Sequence, residues 1–303
     1  MPTDDVIIKP TSDLFIASLW SAPENEPILR SLLSGVMTDI GQPAIRKATV
    51  LNPFNIQDFP SEKQIRLDVR VEDESGTFYN VEVQTDSHSS FFNRMLYYWA
   101  EVYGSQLQRG EEYDDLCPVR SIVITEFPVF SELTQLHSVF EIRSREKPTM
   151  VLTDHFQMHV LRLGNLLRNN FLGLDELCLT LQRWMQFWSF GAKIEEKKMS
   201  TILQDVPEVQ AAYEAYKRFT ADPVMREKIK AQERFEIDKR LDRAWARKAG
   251  REEGREEGRE EGREEGREER NIEVARNMKI KKLDNTLIAE MTGLSPSEIE
   301  RLD

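Results

Sequence analysis

Apolar residues between positions 10 and 40 recur at three- and four-residue steps, the spacing of one helix face. The stripe consists of Ile28, Leu29, Leu32, Leu33 and Val36. Pro27 lies near its start and Gly35 near its end, which suits the boundaries of a helix. This part of the chain therefore predicts an amphipathic helix.

The pattern then changes to strict alternation, which is typical of half-buried strands. Within 65–71, and from Tyr79 to Gln84 of the segment 77–85, apolar and polar residues alternate. The polar positions of the first segment are Arg66, Asp68 and Arg70, and those of the second include Asn80, Glu82 and Gln84. Residues 72–76 supply a turn, so the two segments predict a β-hairpin.

Helical spacing returns in 91–107, and a short apolar strand is predicted at 119–127. The order helix, strand, strand, helix, strand indicates an α/β fold, a mixed sheet flanked by helices. Beyond it we predict two strands, at 138–143 and 150–163, and two helical segments, at 175–190 and 207–250. The expected architecture is an α/β core followed by a C-terminal helical region.

Three domains are expected: a compact domain at 1–225, a charged helical arm at 226–270 and a small tail at 271–303. The arm contains a tandem Gly-Arg-Glu-Glu repeat without apolar residues. Soluble helix pairing normally needs an apolar stripe, so a solvated, partly helical spacer is favoured over a glycine seam between helices.

The tail predicts a helix-turn-helix shape. Ser295, Pro296 and Glu298 form the start signal of its second helix, with a capping box. A helix that reads base edges would carry Arg, Lys, Asn or Gln, whereas this one offers Glu298, Glu300, Arg301 and Asp303. This mostly acidic set favours a packing or oligomerising role. A homo-oligomer through the C-terminal region is therefore a candidate assembly.

Composition narrows the classes of function. The 303-residue chain has a net charge of -12, and residues 251–270, with ten Glu and six Arg, account for only four of these negative charges. Tight duplex binding by bulk electrostatics is therefore not expected. Cys117 and Cys178, the only cysteines, form no C-x-x-C motif. No apolar run reaches the ~18 residues of a membrane span. A cytoplasmic protein without membrane contact is expected.

Asp68 and Glu82 are candidate metal ligands, because the hairpin would place them on one face of paired strands. Opposed side chains lie ~4.5–5.5 Å apart across such a pair. Two carboxylates at that distance repel unless a cation joins them, and Mg²⁺ prefers oxygen ligands. On spacing alone, the favoured interpretation is that both are ordinary solvent-facing strand residues balanced by Arg66 and Arg70.

Five ordered sequence blocks resemble one family. They are Lys-Pro-Thr-Ser-Asp-Leu-Phe (9–15), Leu-Asp-Val-Arg-Val-Glu-Asp (67–73), Tyr-Asn-Val-Glu-Val-Gln (79–84), Arg-Met-Leu-Tyr-Tyr-Trp-Ala (94–100) and Gln-Leu-Gln-Arg-Gly-Glu-Glu-Tyr (106–113). The chain from 9 to 128 is similar to the recombination-promoting nuclease and transposase-like (Rpn) family of the PD-(D/E)XK superfamily. The resemblance implies a restriction-endonuclease-like core and a metal-dependent DNA endonuclease that promotes DNA breakage and recombination.

By this resemblance, the metal-binding aspartate falls on Asp68, the acidic strand residue on Glu82 and the catalytic lysine on Gln84. The implied cofactor is Mg²⁺, with Mn²⁺ as an alternative ion, and the implied partner is DNA. Gln84 departs from the superfamily's lysine but is common in this family, and Ile16 stands where the family usually has Lys. The competing hypothesis is a catalytically degenerate nuclease fold that acts as a DNA-associated or scaffold protein.

Three further residues are supporting candidates for the site. Asp13 would approach it from the first helix, although helix capping is the simpler role. Arg94 and Tyr98, four apart on one helix face, would contact phosphate or orient Gln84. The alternative roles are an ion pair of Arg94 with a nearby acid and packing of Tyr98 in the core. His155 and His159 alternate with apolar residues, which indicates a strand rather than the helical spacing of a two-histidine metal site.

Overall fold

A computed structural model describes residues 7–52, 68–85, 87, 90–130, 132–168 and 173–302. Its helices are α1 (Asp13–Ser21), α2 (Glu26–Asp39), α3 (Phe91–Gly104), α4 (Leu163–Arg168), α5 (Leu179–Phe190), α6 (Glu196–Leu203), α7 (Pro207–Ala221), α8 (Pro223–Ile280), α9 (Asn285–Thr292) and α10 (Pro296–Arg301). Its strands are β1 (Ala48–Val50), β2 (Asp68–Asp73), β3 (Phe78–Gln84), β4 (Val119–Thr125), β5 (His137–Phe140) and β6 (Phe156–Arg162).

The described strands form one mixed sheet in the order β1-β2-β3-β4-β6-β5. The central strands β3, β4 and β6 run parallel, and the outer pairs are antiparallel. Parallel neighbours require a crossover connection, and α3 lies in the one between β3 and β4. The predicted α/β architecture with a C-terminal helical region is therefore confirmed.

Alternation along the strands gives the sheet two different faces. Val69, Val81 and Ile122 belong to the larger core, which also contains the buried residues of α1, α2 and α5. On the opposite face, Val123 and Met158 pack with the buried residues of α3 in a second, smaller core. The polar positions of β3 lie on the α3 face, so the candidate site forms there.

The predicted hairpin is confirmed for its described part, with residues 65–67 outside the described range. The predicted strands at 138–143 and 150–163 are longer than β5 and β6, because residues 150–152 are exposed and only an isolated bridge joins Arg143 to Val151. The helix predicted at 207–250 is interrupted after Ala221. Pro223 has no amide hydrogen to continue α7, and the side chain of Asp222 accepts the amide of Val224 at the start of α8.

The chain divides into two compact units, residues 1–233 and 234–303. In the second unit, Ala275 of α8 packs with Ile288 and Ile299 of the two tail helices. The predicted capping box is present, since the amide of Glu298 donates to Ser295 Oγ and the Glu298 carboxylate accepts the amide of Ser295. The Gly-Arg-Glu-Glu tract lies entirely within α8, with every residue exposed. No helix in the described residues is long and apolar enough to span a bilayer.

Gly164, at the start of α4, is expected to be essential for packing against the end of β4. An added Cβ would lie 2.5 Å from the backbone oxygen of Glu126. We expect Gly164→Ala to lower the free energy of unfolding by about 1–3 kcal/mol, the usual cost of overpacking, as measured by urea denaturation. Gly104→Ala is the control, because nothing lies within 4 Å of its added Cβ. Equal destabilisation of both variants would contradict this packing argument.

Candidate active site

The hairpin places the two candidate carboxylate residues opposite each other. In the β2–β3 register, Asp68 is the partner of Glu82, flanked by the apolar pair Val69 and Val81. Directly opposed side chains in an antiparallel pair have Cβ atoms ~4.5–5.5 Å apart. Glu82 is only 5% exposed, because β4 and α3 cover β3. The side chain of Asp68 lies outside the described part of the structure.

Gln84 and Arg94 are joined to Glu82 by hydrogen bonds. Gln84 Nε2 donates to Glu82 Oε1 at 2.7 Å. Arg94 Nη2 donates to Gln84 Oε1 at 2.6 Å and lies 3.4 Å from Glu82 Oε1. Both ends of the Gln84 amide are thus engaged, which fixes its orientation. Burying a carboxylate is costly unless it is paired and hydrogen-bonded, and these two side chains supply such partners.

A second ion pair links α3 to β2 one strand farther out. Arg70 Nη2 lies 3.5 Å from Glu101 Oε2. Arg70 and Asp68 are two residues apart on β2 and so share its polar face. Arg94 therefore lies above β3 and Glu101 above β2, on the same face of the sheet. The register of α3 over the sheet is therefore held by charged contacts as well as by its apolar residues.

The two remaining supporting candidates have different surroundings. Tyr98 packs against the second core, with its ring centroid 6.0 Å from that of Tyr97. Asp13 is the first residue of α1, a helix that packs in the larger core on the opposite face of the sheet. Ile16 is fully buried in that core, so the position where the family usually has Lys is occupied here by a packing residue.

Glu126 is a residue that the sequence pattern did not single out. Its carboxylate accepts hydrogen bonds from Lys9 Nζ at 2.5 Å and from the hydroxyl of Thr11. Its backbone amide donates to the carbonyl of Gln84 at 3.0 Å. The N-terminal block is thereby connected to the strand end that carries Gln84. The sequence signal for this contact was the 9–15 block of the family resemblance. That block indicated that the segment matters but not that Glu126 is the residue it binds.

The residue types of the hairpin fit a hard divalent cation, because the register pairs an Asp with a Glu and such cations prefer carboxylate oxygens. Among the side chains that the structure describes, no three His, Cys, Asp or Glu residues come together in a metal-binding cluster. Asp68 and Glu82, which are cross-strand partners, could hold such an ion, with water or substrate oxygens as further ligands.

The histidines form hydrogen bonds rather than a paired metal site. His159 lies in β6, as the alternation predicted, and His155 precedes the strand and contacts the Tyr103 hydroxyl at 3.0 Å. His159 Nδ1 is 3.0 Å from His137 Nε2, and His137 Nδ1 is 2.7 Å from Asp39 Oδ2. This buried chain of side chains lies on the sheet face opposite Glu82.

The mixed sheet and the acidic hairpin together define a PD-(D/E)XK-type nuclease fold. Residues 10–244 match the model of a protein family described as "PD-(D/E)XK nuclease family transposase". The chain belongs to this family, which supports a nuclease role. No curated protein and no solved structure matches the chain.

The buried His159 is expected to make folding stability depend on pH. Burial, the neighbouring His137 and the charge of Arg120 lower its pKa well below the usual 6.5. The unfolded chain therefore takes up a proton that the folded chain excludes. Stability is full above about pH 6.5 and falls by about 1.4 kcal/mol per pH unit below it. His159→Gln should reduce this slope in urea denaturation between about pH 7.5 and 5.5. An unchanged slope would rule out His159 as its source.

Proposed function

We propose that the chain is a metal-dependent DNA endonuclease that hydrolyses phosphodiester bonds and promotes DNA breakage and recombination. The observation that carries the proposal is the pairing of Asp68 with Glu82 on a hairpin within a PD-(D/E)XK family member. We assign the chemistry to the domain predicted at 1–225. A cytoplasmic location is part of the proposal and is supported by the free Cys117 and Cys178.

Asp68 and Glu82 would hold Mg²⁺, with Mn²⁺ as an alternative. When bound, the ion would supply a positive charge that lowers the pKa of a water molecule and stabilises charge on the phosphate. The two carboxylates would otherwise repel each other, so they favour a cation between them. The acidic hairpin then becomes compatible with a DNA phosphate, because the cation inverts the local charge.

Gln84 is proposed to orient the attacking water. Its amide is uncharged, so it cannot replace the charge of the lysine found in most of the superfamily. Arg94 is the nearest described cation, and its contact with the Gln84 oxygen leaves the guanidinium beside the same carboxylate. We assign Arg94 two tasks, which are to fix the Gln84 amide and to contribute charge next to the phosphate.

A catalytically degenerate fold that acts as a DNA-associated or scaffold protein is the second candidate function. The observation that favours it is that Gln84 and Arg94 both bind Glu82 Oε1, an oxygen that a metal ion would use. In that case the polar cluster serves only to stabilise a buried carboxylate. A nicking assay on supercoiled plasmid with and without Mg²⁺ distinguishes the two candidates.

Loss of either carboxylate should abolish metal-dependent nicking. Asp68→Ala and Glu82→Ala are each expected to reduce the rate at least about 100-fold, because each removes charge that holds the ion at the phosphate. Glu72→Ala is the matched control, an acidic residue on the same face of β2 whose partner is Phe78. It should cut at the parental rate. Parental cutting by Asp68→Ala would show that the site assignment is wrong.

Substitution of Gln84 tests its role separately. We expect Gln84→Lys to retain or raise the nicking rate, since a lysine adds charge that stabilises the transition state. Gln84→Ala should lower the rate, because it leaves no group to orient the water. Rates are measured at saturating Mg²⁺, with thermal melting to confirm folding. An inactive Gln84→Lys beside an active Gln84→Ala would exclude the water-orienting role.

A further inference from the structure

Residues 250–270 of α8 form a helix that receives no support from packing. All of them are exposed. The five glycines of the tract recur every four residues from Gly250 to Gly266, and nothing lies within 4 Å of a Cβ added at any of them. After proline, glycine is the residue that most disfavours a helix interior. Such a stretch is marginal as an isolated helix in water, so a stable helix here calls for a partner surface.

The four-residue repeat also arranges like charges along the helix. Arg251 and every fourth residue to Arg267 form an Arg row, and Glu253 and every fourth residue to Glu269 form a Glu row. Like charges four residues apart destabilise a helix. No residue of the Glu row has a basic residue three or four positions away, so this row cannot be neutralised within its own helix. Between 250 and 270, all of which is described, Lys248–Glu252 is the one ion pair that reaches the tract.

We propose that α8 pairs with the α8 of a second copy of the chain in an antiparallel arrangement, with Arg251 and Arg255 at one end of the tract facing the partner's Glu269 and Glu265. One register places Arg255 level with the partner's Glu265, and Arg251 level with the partner's Glu269. The four positions 251, 255, 265 and 269 lie on a single seam of three- and four-residue steps, the geometry of a two-stranded coiled coil. A parallel pair in register would instead place each Arg beside the same Arg.

Exposed apolar side chains at both ends of α8 support the same register. Ile237, Leu241 and Trp245 are four residues apart and 53%, 53% and 68% exposed. On the other side of the tract, Ile280 and Leu283 are 76% and 40% exposed. The proposed pairing has its midpoint at residue 260, and at 1.5 Å per residue Leu241 lies about 29 Å before it and Ile280 about 30 Å after it.

Pairing therefore brings the apolar patch of one copy level with that of the other at both ends. Leu241, for instance, lies within about one residue of the level of the partner's Ile280, the last residue of α8. A two-fold interface is self-complementary in this way, since each patch is used twice. The occupant is a second copy rather than an unrelated partner because one α8 carries both the Arg row and the Glu row that complement each other.

The first test measures assembly of the full chain by analytical ultracentrifugation. We expect a dimer that weakens at least tenfold when salt is raised from about 0.1 M to about 1 M, because salt screens exposed charges. Replacing the Arg row with Glu should give a monomer, and so should replacing the Glu row with Arg. An equimolar mixture of the two variants should restore the dimer. A monomeric parent chain, or a mixture that stays monomeric, would overturn the proposal.

Orientation is tested by cross-linking in a chain whose Cys117 and Cys178 are replaced by Ser. Arg255→Cys mixed with Glu265→Cys should form a disulfide-linked dimer, whereas neither variant should link to itself. Self-linking of each variant would indicate a parallel pair and would refute the antiparallel arrangement.

The apolar ends are tested by Leu241→Asp, which should weaken the dimer at least tenfold. Leu152→Asp is the matched control, because Leu152 is 71% exposed and lies in the first unit. Equal dissociation constants for the parent chain and Leu241→Asp would exclude the apolar contact and the register that depends on it.

Discussion

The register between β2 and β3 is the constraint on which the candidate site depends. Val69 pairs with Val81 and Val71 with Tyr79, and all four are buried in the larger core. A slip of one residue would turn these apolar side chains to the opposite face, so core burial fixes the register. The same register places Asp68 opposite Glu82 on the other face. Hydrophobic burial on one side of the hairpin therefore decides which residues lie opposite each other on the other side.

The site also depends on how that second face is covered. Glu82 lies on a central strand beneath α3, so its carboxylate is taken from water and needs polar partners. Gln84 from the same strand and Arg94 from α3 provide them. The crossover helix thus closes the small apolar core and also completes the polar cluster. The position of α3 therefore decides where Arg94 lies relative to Glu82 and Gln84.

The two units of the chain are stabilised by different physical means. In the first, an apolar core on each face of the sheet excludes water. In the second, a small cluster around Ala275, Ile288 and Ile299 closes the tail, and the remaining helix surface is charged and exposed. Salt screens the contacts of exposed charges on such a helix, whereas groups buried in a packed core are screened much less.

Local patterning in the sequence was sufficient for the hairpin, for α3 and for the capping box at Ser295, because each of these depends on residues within a few positions of one another. It also placed Asp68 and Glu82 on one face. Only the tertiary structure decided that Lys9 and Thr11 bind Glu126 and that Asp39 binds His137. Thr11 and Glu126 are 115 residues apart in the sequence, and Asp39 and His137 are 98 residues apart. Contacts at such separations are set by the sheet order and by the packing of helices on its faces. Neither of these is encoded in the periodicity of any single segment.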